Sequence, residues 1–118
     1  MNQTVADAIS EKTVAGQSGR AGRVTGKIAL LPGDGVGPEV TREAVKVLSA
    51  ARQAFGFSLV YEEALVGGCA IDDAGDPLPE RTLRVCREAG AILFGAVGGP
   101  KWDSLPGVKR PEQGILRL

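Results

Sequence analysis

Histidine is missing from this 118-residue sequence. Its absence removes Ser-His-Asp and Cys-His nucleophilic arrangements, and histidine metal ligands, from consideration within these residues. Cysteine is nearly missing. Cys69 and Cys86 have neither metal-site nor redox-pair spacing and read as two reduced thiols of an intracellular protein. Net charge is missing too, because 14 Lys and Arg balance 14 Asp and Glu. A chain with no basic excess is a poor nucleic-acid binder, and one with no acidic excess carries no polyanionic tail. There is no long apolar run. The longest uncharged stretch that reads as buried, residues 89–99, falls far short of the roughly 18 apolar residues a membrane span needs. Residues 1–26 lack the continuous apolar core of a secretory signal.

What is present is a hydrophobic fraction of 43%, enough for the core of one domain. There are also 17 glycines, about twice the usual share of roughly 7%, which points to tight turns and close backbone approach. Residues 1–26 are rich in Gly, Ser, Thr, Ala and Gln without any period and read as a flexible N-terminal extension. Asp7 and Glu11 speak against a transit peptide.

The texture changes at Lys27. Ile28-Ala29-Leu30-Leu31, ended by Pro32-Gly33, predicts a buried strand. Pro38 stands where a first helical residue belongs, and Glu39 suits the first turn. Val40, Ala44, Val47, Leu48 and Ala51 share one face of the helix that follows, and Gly56 can cap it. Phe57, Leu59 and Tyr61 alternate with Ser58, Val60 and Glu62 as a second strand. The stretch 72–79 reads as a turn-rich connection. Glu80 to Ala89 predicts a helix with Leu83, Cys86 and Ala89 inward, closed by Gly90. The apolar run Ala91 to Val97 predicts a third strand covered on both faces. Strand–helix–strand–helix–strand is the order of an α/β fold with an open, mostly parallel sheet. Ligands of such sheets gather beyond the carboxyl ends of the strands, here Pro32 to Gly37 and Gly98 onward. Residues 98–111 carry several Gly and Pro, and Glu112 to Leu118 begins a helix that stops in mid-pattern. The expectation is an N-terminal piece of a longer protein.

Three motifs bear on chemistry. Gly33-Asp34-Gly35-Val36-Gly37 gives G-x-G-x-G rather than G-x-G-x-x-G, and no acid follows at the dinucleotide-fingerprint distance. It reads either as a phosphate loop or as a plain strand-to-helix turn. Around Trp102, Lys101, Lys109 and Arg110 outnumber Asp103 and Glu112. A basic loop with a constrained backbone suits an anionic ligand; the plainer alternative is a solvated charge cluster with Trp102 tucked into the core. Asp72, Asp73 and Asp76 lack calcium-loop spacing and read as a solvated turn.

Taken together, four segments are familiar. Leu31-Pro32-Gly33-Asp34-Gly35-Val36-Gly37-Pro38-Glu39-Val40 resembles the opening loop and helix of the metal-dependent β-decarboxylating dehydrogenases, the isocitrate/isopropylmalate dehydrogenase family. Gly67-Gly68-Cys69-Ala70-Ile71-Asp72 with Gly75-Asp76-Pro77-Leu78-Pro79, then Ala91 to Asp103, then Arg110 to Leu118, are similar to the branch that acts on 3-isopropylmalate. The likeness covers residues 27–118, the N-terminal and incomplete part of the family's large domain.

The resemblance implies an isocitrate/isopropylmalate dehydrogenase-like fold and an NAD-dependent oxidative decarboxylation of 3-isopropylmalate to 4-methyl-2-oxopentanoate, a step of leucine biosynthesis. It implies Mg2+ or Mn2+ as Lewis acid, with the metal ligands and the catalytic residues beyond this chain. It further implies a cytoplasmic homodimer with a small-molecule substrate and no nucleic-acid or membrane partner. By position, the NAD-contacting segment is Gly99, Pro100, Lys101, Trp102, Asp103, Ser104, Leu105, Pro106, Gly107, Val108, Lys109, Arg110, Pro111 and Glu112, with Glu112 near the nicotinamide ribose. Ile115 and Leu116 match apolar positions that meet the isopropyl group, with isoleucine at 115 where leucine is common. Arg117 is out of register with the family's carboxylate-clamping arginines. The 118 residues alone are expected to be inactive and poorly stable. The alternatives are a sister activity on isocitrate, homoisocitrate or tartrate, and a non-catalytic nucleotide-binding remnant.

Overall fold

Parallel strands need long crossovers, and the apolar run after Lys27 has to be covered on both faces. The computed structural model, which describes residues 25–118, satisfies both demands with a three-stranded parallel sheet in the order β2-β1-β3. Strand β1 (Thr25–Gly33) lies between β2 (Ser58–Glu63) and β3 (Ala91–Ala96). Ile28 is in register with Tyr61 on one side and Ala91 on the other. Helix α1 (Gly37–Phe55) joins β1 to β2, and α2 (Gly68–Ala74) and α3 (Glu80–Glu88) join β2 to β3. Two 3-10 turns, Pro100–Trp102 and Gly107–Lys109, and the single turn α4 (Gln113–Leu116) follow. The expected extension, apart from Thr25 and Gly26, lies outside the described residues.

Alternation along β1 divides the core. Ala29 and Leu31 face a cluster with Ala64, Val66, Leu78 and Val85, which Leu83, Cys86 and Ala89 of the α3 segment complete. Leu30, with Ile28, faces Val45 of α1, Tyr61 and Leu93. Ala29, Leu30 and Leu31 are all fully buried. The strand reads as a continuous apolar run because both of its faces are covered.

The expected α/β parallel architecture is borne out; on α3 the expected Leu83, Cys86 and Ala89 pack half-buried against the core, while the residues it buries are Thr82 and Val85, and four further local expectations are corrected. Helix α1 buries Gly37, Thr41, Val45 and Arg52, with Ala44, Leu48 and Ala51 half-buried; Val40 and Val47 are exposed. The helix is turned toward the Thr41 side because Gly37 and Thr41 lie against Gly95 of β3. The connection at 72–79 is partly helical, since α2 runs to Ala74 before Gly75 closes it in a left-handed conformation. Strand β3 is an edge strand among the described residues, with Ile92 40% exposed, so it is not covered on both faces. Finally, α3 ends at Glu88 with Ala89 as its cap, and the Gly90 N–H already donates to the Lys27 carbonyl.

The glycines of the first loop serve packing. A Cβ on Gly33 would run into the Ala96 carbonyl, and one on Gly37 into the Pro32 carbonyl. A Cβ on Gly95 would meet that same Pro32 carbonyl and stand 2.7 Å from Thr41 Oγ1. Gly95→Ala should therefore cost about 1–3 kcal/mol, as overpacking does. Gly107→Ala, with nothing within 4 Å of its Cβ, should stay within about 0.5 kcal/mol. Urea unfolding followed by Trp102 fluorescence checks both.

Candidate functional site

The carboxyl ends of β1 and β3 meet at Asp34, whose own N–H donates to the Ala96 carbonyl at 2.7 Å. The Asp34 side chain turns inward and is 5% exposed. Its Oδ2 accepts from the N–H of Gly68 at 2.6 Å and of Gly98 at 2.9 Å; its Oδ1 accepts from the Cys69 N–H at 2.8 Å. The first residues of α2 have no intrahelical partner for their N–H groups, and Gly67 ahead of them offers no side chain. A carboxylate from 34 residues upstream fills that role. The positive φ of Gly67, 82°, brings the helix start against it, and a Cβ there would stand 2.6 Å from Asp34 Oδ2.

From this junction the chain runs through Gly98 and Gly99 into the long loop. Trp102 lies flat on Gly68, where any Cβ would strike the indole ring. Its Nε1 donates to Asp72 Oδ1 at 3.1 Å, and Lys101 Nζ reaches Asp72 Oδ2 at 2.6 Å while sitting 5.4 Å over the indole. Arg110 folds back on its own loop, donating to the carbonyls of Leu105 and Asp103. Arg117 makes an ion pair with Asp76 at 2.7 Å and also reaches the Leu78 carbonyl. Gly114 is buried, with the Pro77 carbonyl 2.8 Å from where a Cβ would stand.

This arrangement sorts the residues singled out from the sequence. The G-x-G-x-G segment is a strand-to-helix turn whose outer glycines pack against backbone, not an open phosphate cradle. Asp72 and Asp76, read as a solvated turn, are each engaged by a cation of a later segment. Trp102 is half-buried on α2 and stands outside the core clusters. The basic excess of the loop is largely absorbed internally: Lys101 is paired, Arg110 is turned to carbonyls, and Lys109 remains exposed. Of the segment 99–112, Leu105 is half-buried and Pro111 buried, whereas Ser104, Pro106, Val108 and Glu112 are exposed. Glu112 comes back beside the start of the loop, its Oε1 2.9 Å from where a Gly98 Cβ would stand. Ile115 and Leu116 are 48% and 74% exposed. Asp34 was not singled out from the sequence, because its three partners are backbone groups that no spacing rule reveals.

Both cysteines are free and half-buried. Burial pushes Cys69 up, and the same holds for Cys86. Among the described residues no group of three His, Cys, Asp or Glu could hold a metal ion, and no helix is long and apolar enough to cross a membrane.

Residues 27–118 match the family model for isocitrate/isopropylmalate dehydrogenase. The chain belongs to the isocitrate/isopropylmalate dehydrogenase family. A 3-isopropylmalate dehydrogenase of Halalkalibacterium halodurans is 63% identical over 92 residues, and one of Aquifex aeolicus is 58% identical over the same length. Each match covers 78% of this chain and 25% of the relative, so the chain spans about a quarter of the length of these curated relatives. Among solved structures, a β-decarboxylating dehydrogenase from Thermococcus kodakarensis aligns with a TM-score of 0.55 at 37% identity, over 69% of this chain and 23% of that one. An isocitrate dehydrogenase from Methylococcus capsulatus aligns with a TM-score of 0.56 at 35% identity, over 64% and 21%. In this family member the loop after β3 is held to the fold by Asp34 at its start and by Asp72 through Lys101 and Trp102.

Hydrogen bonds from Lys101 and then Trp102 hold the Asp72 carboxyl below its usual value. A depressed carboxylate contributes its stabilisation above the unfolded value, about pH 4, and loses it as pH falls through the lower folded value. The Trp102 emission should therefore hold steady down through pH 4 and change only below it. Asp72→Asn should abolish that acid transition, as a fluorescence titration of the two proteins would show.

Proposed function

We propose that this chain is the N-terminal part of an NAD-dependent 3-isopropylmalate dehydrogenase. The observation that carries the reading is the 55–63% identity, over 91–92 residues, to enzymes of that name. The proposed reaction oxidises the hydroxyl-bearing carbon of 3-isopropylmalate and releases the β-carboxylate as CO2, leaving 4-methyl-2-oxopentanoate on the route to leucine. NAD, when bound, accepts the hydride. The enzyme is proposed to act as a cytoplasmic homodimer with Mg2+ or Mn2+. The described residues offer no cluster of metal ligands, so this segment is given no part in holding the ion.

In this reading residues Gly99 to Glu112 form the side of the NAD site. The fit is chemical. An exposed carboxylate at Glu112 accepts hydrogen bonds from a ribose diol. Lys109 supplies an exposed cation for a phosphate. Ile115 and Leu116 offer exposed aliphatic surface to a branched alkyl group, and full burial of one such side chain is worth about 1.5–3 kcal/mol. A substrate with a carboxylate at that place would lose its hydration against the same surface without compensation.

Substituting residues 27–118 for the matching quarter of the Halalkalibacterium halodurans enzyme tests the reading. The chimera should form NADH from 3-isopropylmalate and not from isocitrate, while residues 1–118 alone should not turn over. A folded chimera with no activity on 3-isopropylmalate, or with activity on isocitrate instead, overturns it. Leu116→Ser in the chimera should raise the KM for 3-isopropylmalate about tenfold, the cost of losing one aliphatic contact. Steady-state kinetics at saturating NAD would reveal it.

A further inference from the structure

We infer that Asp34 is a positioning residue for the dinucleotide, acting through Gly98 on the carboxylate of Glu112. The inference rests on the NAD reading above and deepens it.

Asp34 is nearly fully buried, and its carboxylate oxygens take three backbone N–H groups. Two of these, from Gly68 and Cys69, belong to the start of α2. The third, from Gly98, belongs to the chain 64 residues downstream at the exit of β3. That bond fixes Gly98 at φ 105°, a conformation that L side chains rarely adopt. It leaves the bare Cα side of Gly98 facing Glu112 Oε1, at 2.9 Å from the place a Cβ would take. The oxygen that holds Gly98, Oδ2, also holds Gly68, and Gly68 carries the Trp102 ring that shapes the first turn of the loop. One buried charge thus sets both ends of the proposed cofactor segment: the loop start at Gly98 and Trp102, and the returning Glu112. Glu112 is the group that would touch the ribose, and Asp34 touches neither substrate nor cofactor.

A role confined to stability lowers the fraction of active enzyme, and hence kcat, but leaves both KM values where they were. A positioning role moves the KM for NAD and spares that for 3-isopropylmalate. In the chimera, Asp34→Asn puts an amide NH2 against one or more backbone N–H groups in either orientation. It should raise the KM for NAD about tenfold, the scale of one hydrogen bond to a charged group, with the KM for 3-isopropylmalate within about twofold. Gly98→Ala, whose Cβ would meet only the Glu112 side chain but whose φ of 105° strains any L residue, should give the same split in the KM values together with a lower unfolding midpoint. It carries the test alone if Asp34→Asn does not fold. Adding Asp34→Asn or Gly98→Ala to Glu112→Gln should raise the KM for NAD no further, because all three act on one contact. Unchanged KM values with a lower kcat, equal rises in both KM values, or additive effects with Glu112→Gln would each overturn the inference. An inactive parent chimera would instead strike at the NAD reading, and so the two failures are distinguishable.

Discussion

A buried carboxylate has to be satisfied by donors, and those that satisfy Asp34 come from two later segments, the start of α2 and the exit of β3. Its partners lie 34, 35 and 64 residues downstream. Each side of the arrangement needs the other. The opening N–H groups of α2 have no helical acceptor, and Gly98 has left the strand ladder. Without the carboxylate, each buried N–H would be left unsatisfied at a cost of about 1–3 kcal/mol. Without them the carboxylate would bear the full penalty of leaving water. No Lys or Arg is needed to compensate the charge, since N–H groups at a helix start present partial positive charge to it.

Such a junction demands that backbones approach closely, and the space comes from missing side chains. Gly33 and Gly95 let β1 and β3 meet at their carboxyl ends, and Gly37 lets α1 begin directly over that meeting point. Gly67 and Gly68 do the same for α2, one against Asp34 and the other beneath Trp102. Five of the glycines thus serve the packing of one end of the sheet. The same end is where ligands of parallel sheets collect, so the packing that builds the junction also shapes the surface next to it.

Periodicity made most of the framework legible. The apolar runs at Ile28–Leu31 and Ala91–Val97, the alternation at Phe57–Tyr61, the caps around Pro38 and Gly56 and the pattern from Glu80 to Ala89 locate three strands and two helices that the structure contains. The misses share a cause: tertiary contact overrode local pattern. Helix α1 shows Thr41 and Arg52 to the interior and leaves Val40 and Val47 outside, because its start is pinned against Gly95. Helix α2 escaped notice because its first turn is Gly-Cys-Ala under a cap supplied from far away, so no capping residue adjoins it. At the site, the loop residues could be proposed from resemblance alone. Asp34 could not be picked out from the sequence, because its role exists only once the chain is folded.

Charge counting over residues 98–112 left open an anion-binding loop or a solvated charge cluster, and the geometry shows why counting alone could not decide. Lys101 already has Asp72, and an exposed ion pair of this kind is held for geometry more than for energy, since such pairs contribute about 0–1 kcal/mol. Its effect is to hold Trp102 against Gly68 and so keep the loop shut on α2. Arg110 is spent in the same way on the carbonyls of its own loop. After these commitments the groups left exposed include the Asp103 and Glu112 carboxylates, the Lys109 ammonium and the aliphatic surface of Val108, Ile115 and Leu116. An acceptor, a cation and a greasy patch spaced along one short stretch do not make a generic anion trap. Lys109 comes first along the chain, Glu112 next and Ile115 and Leu116 last, and the ion pairs Lys101–Asp72 and Arg117–Asp76 tie both ends of that stretch to α2 and the turn that follows it.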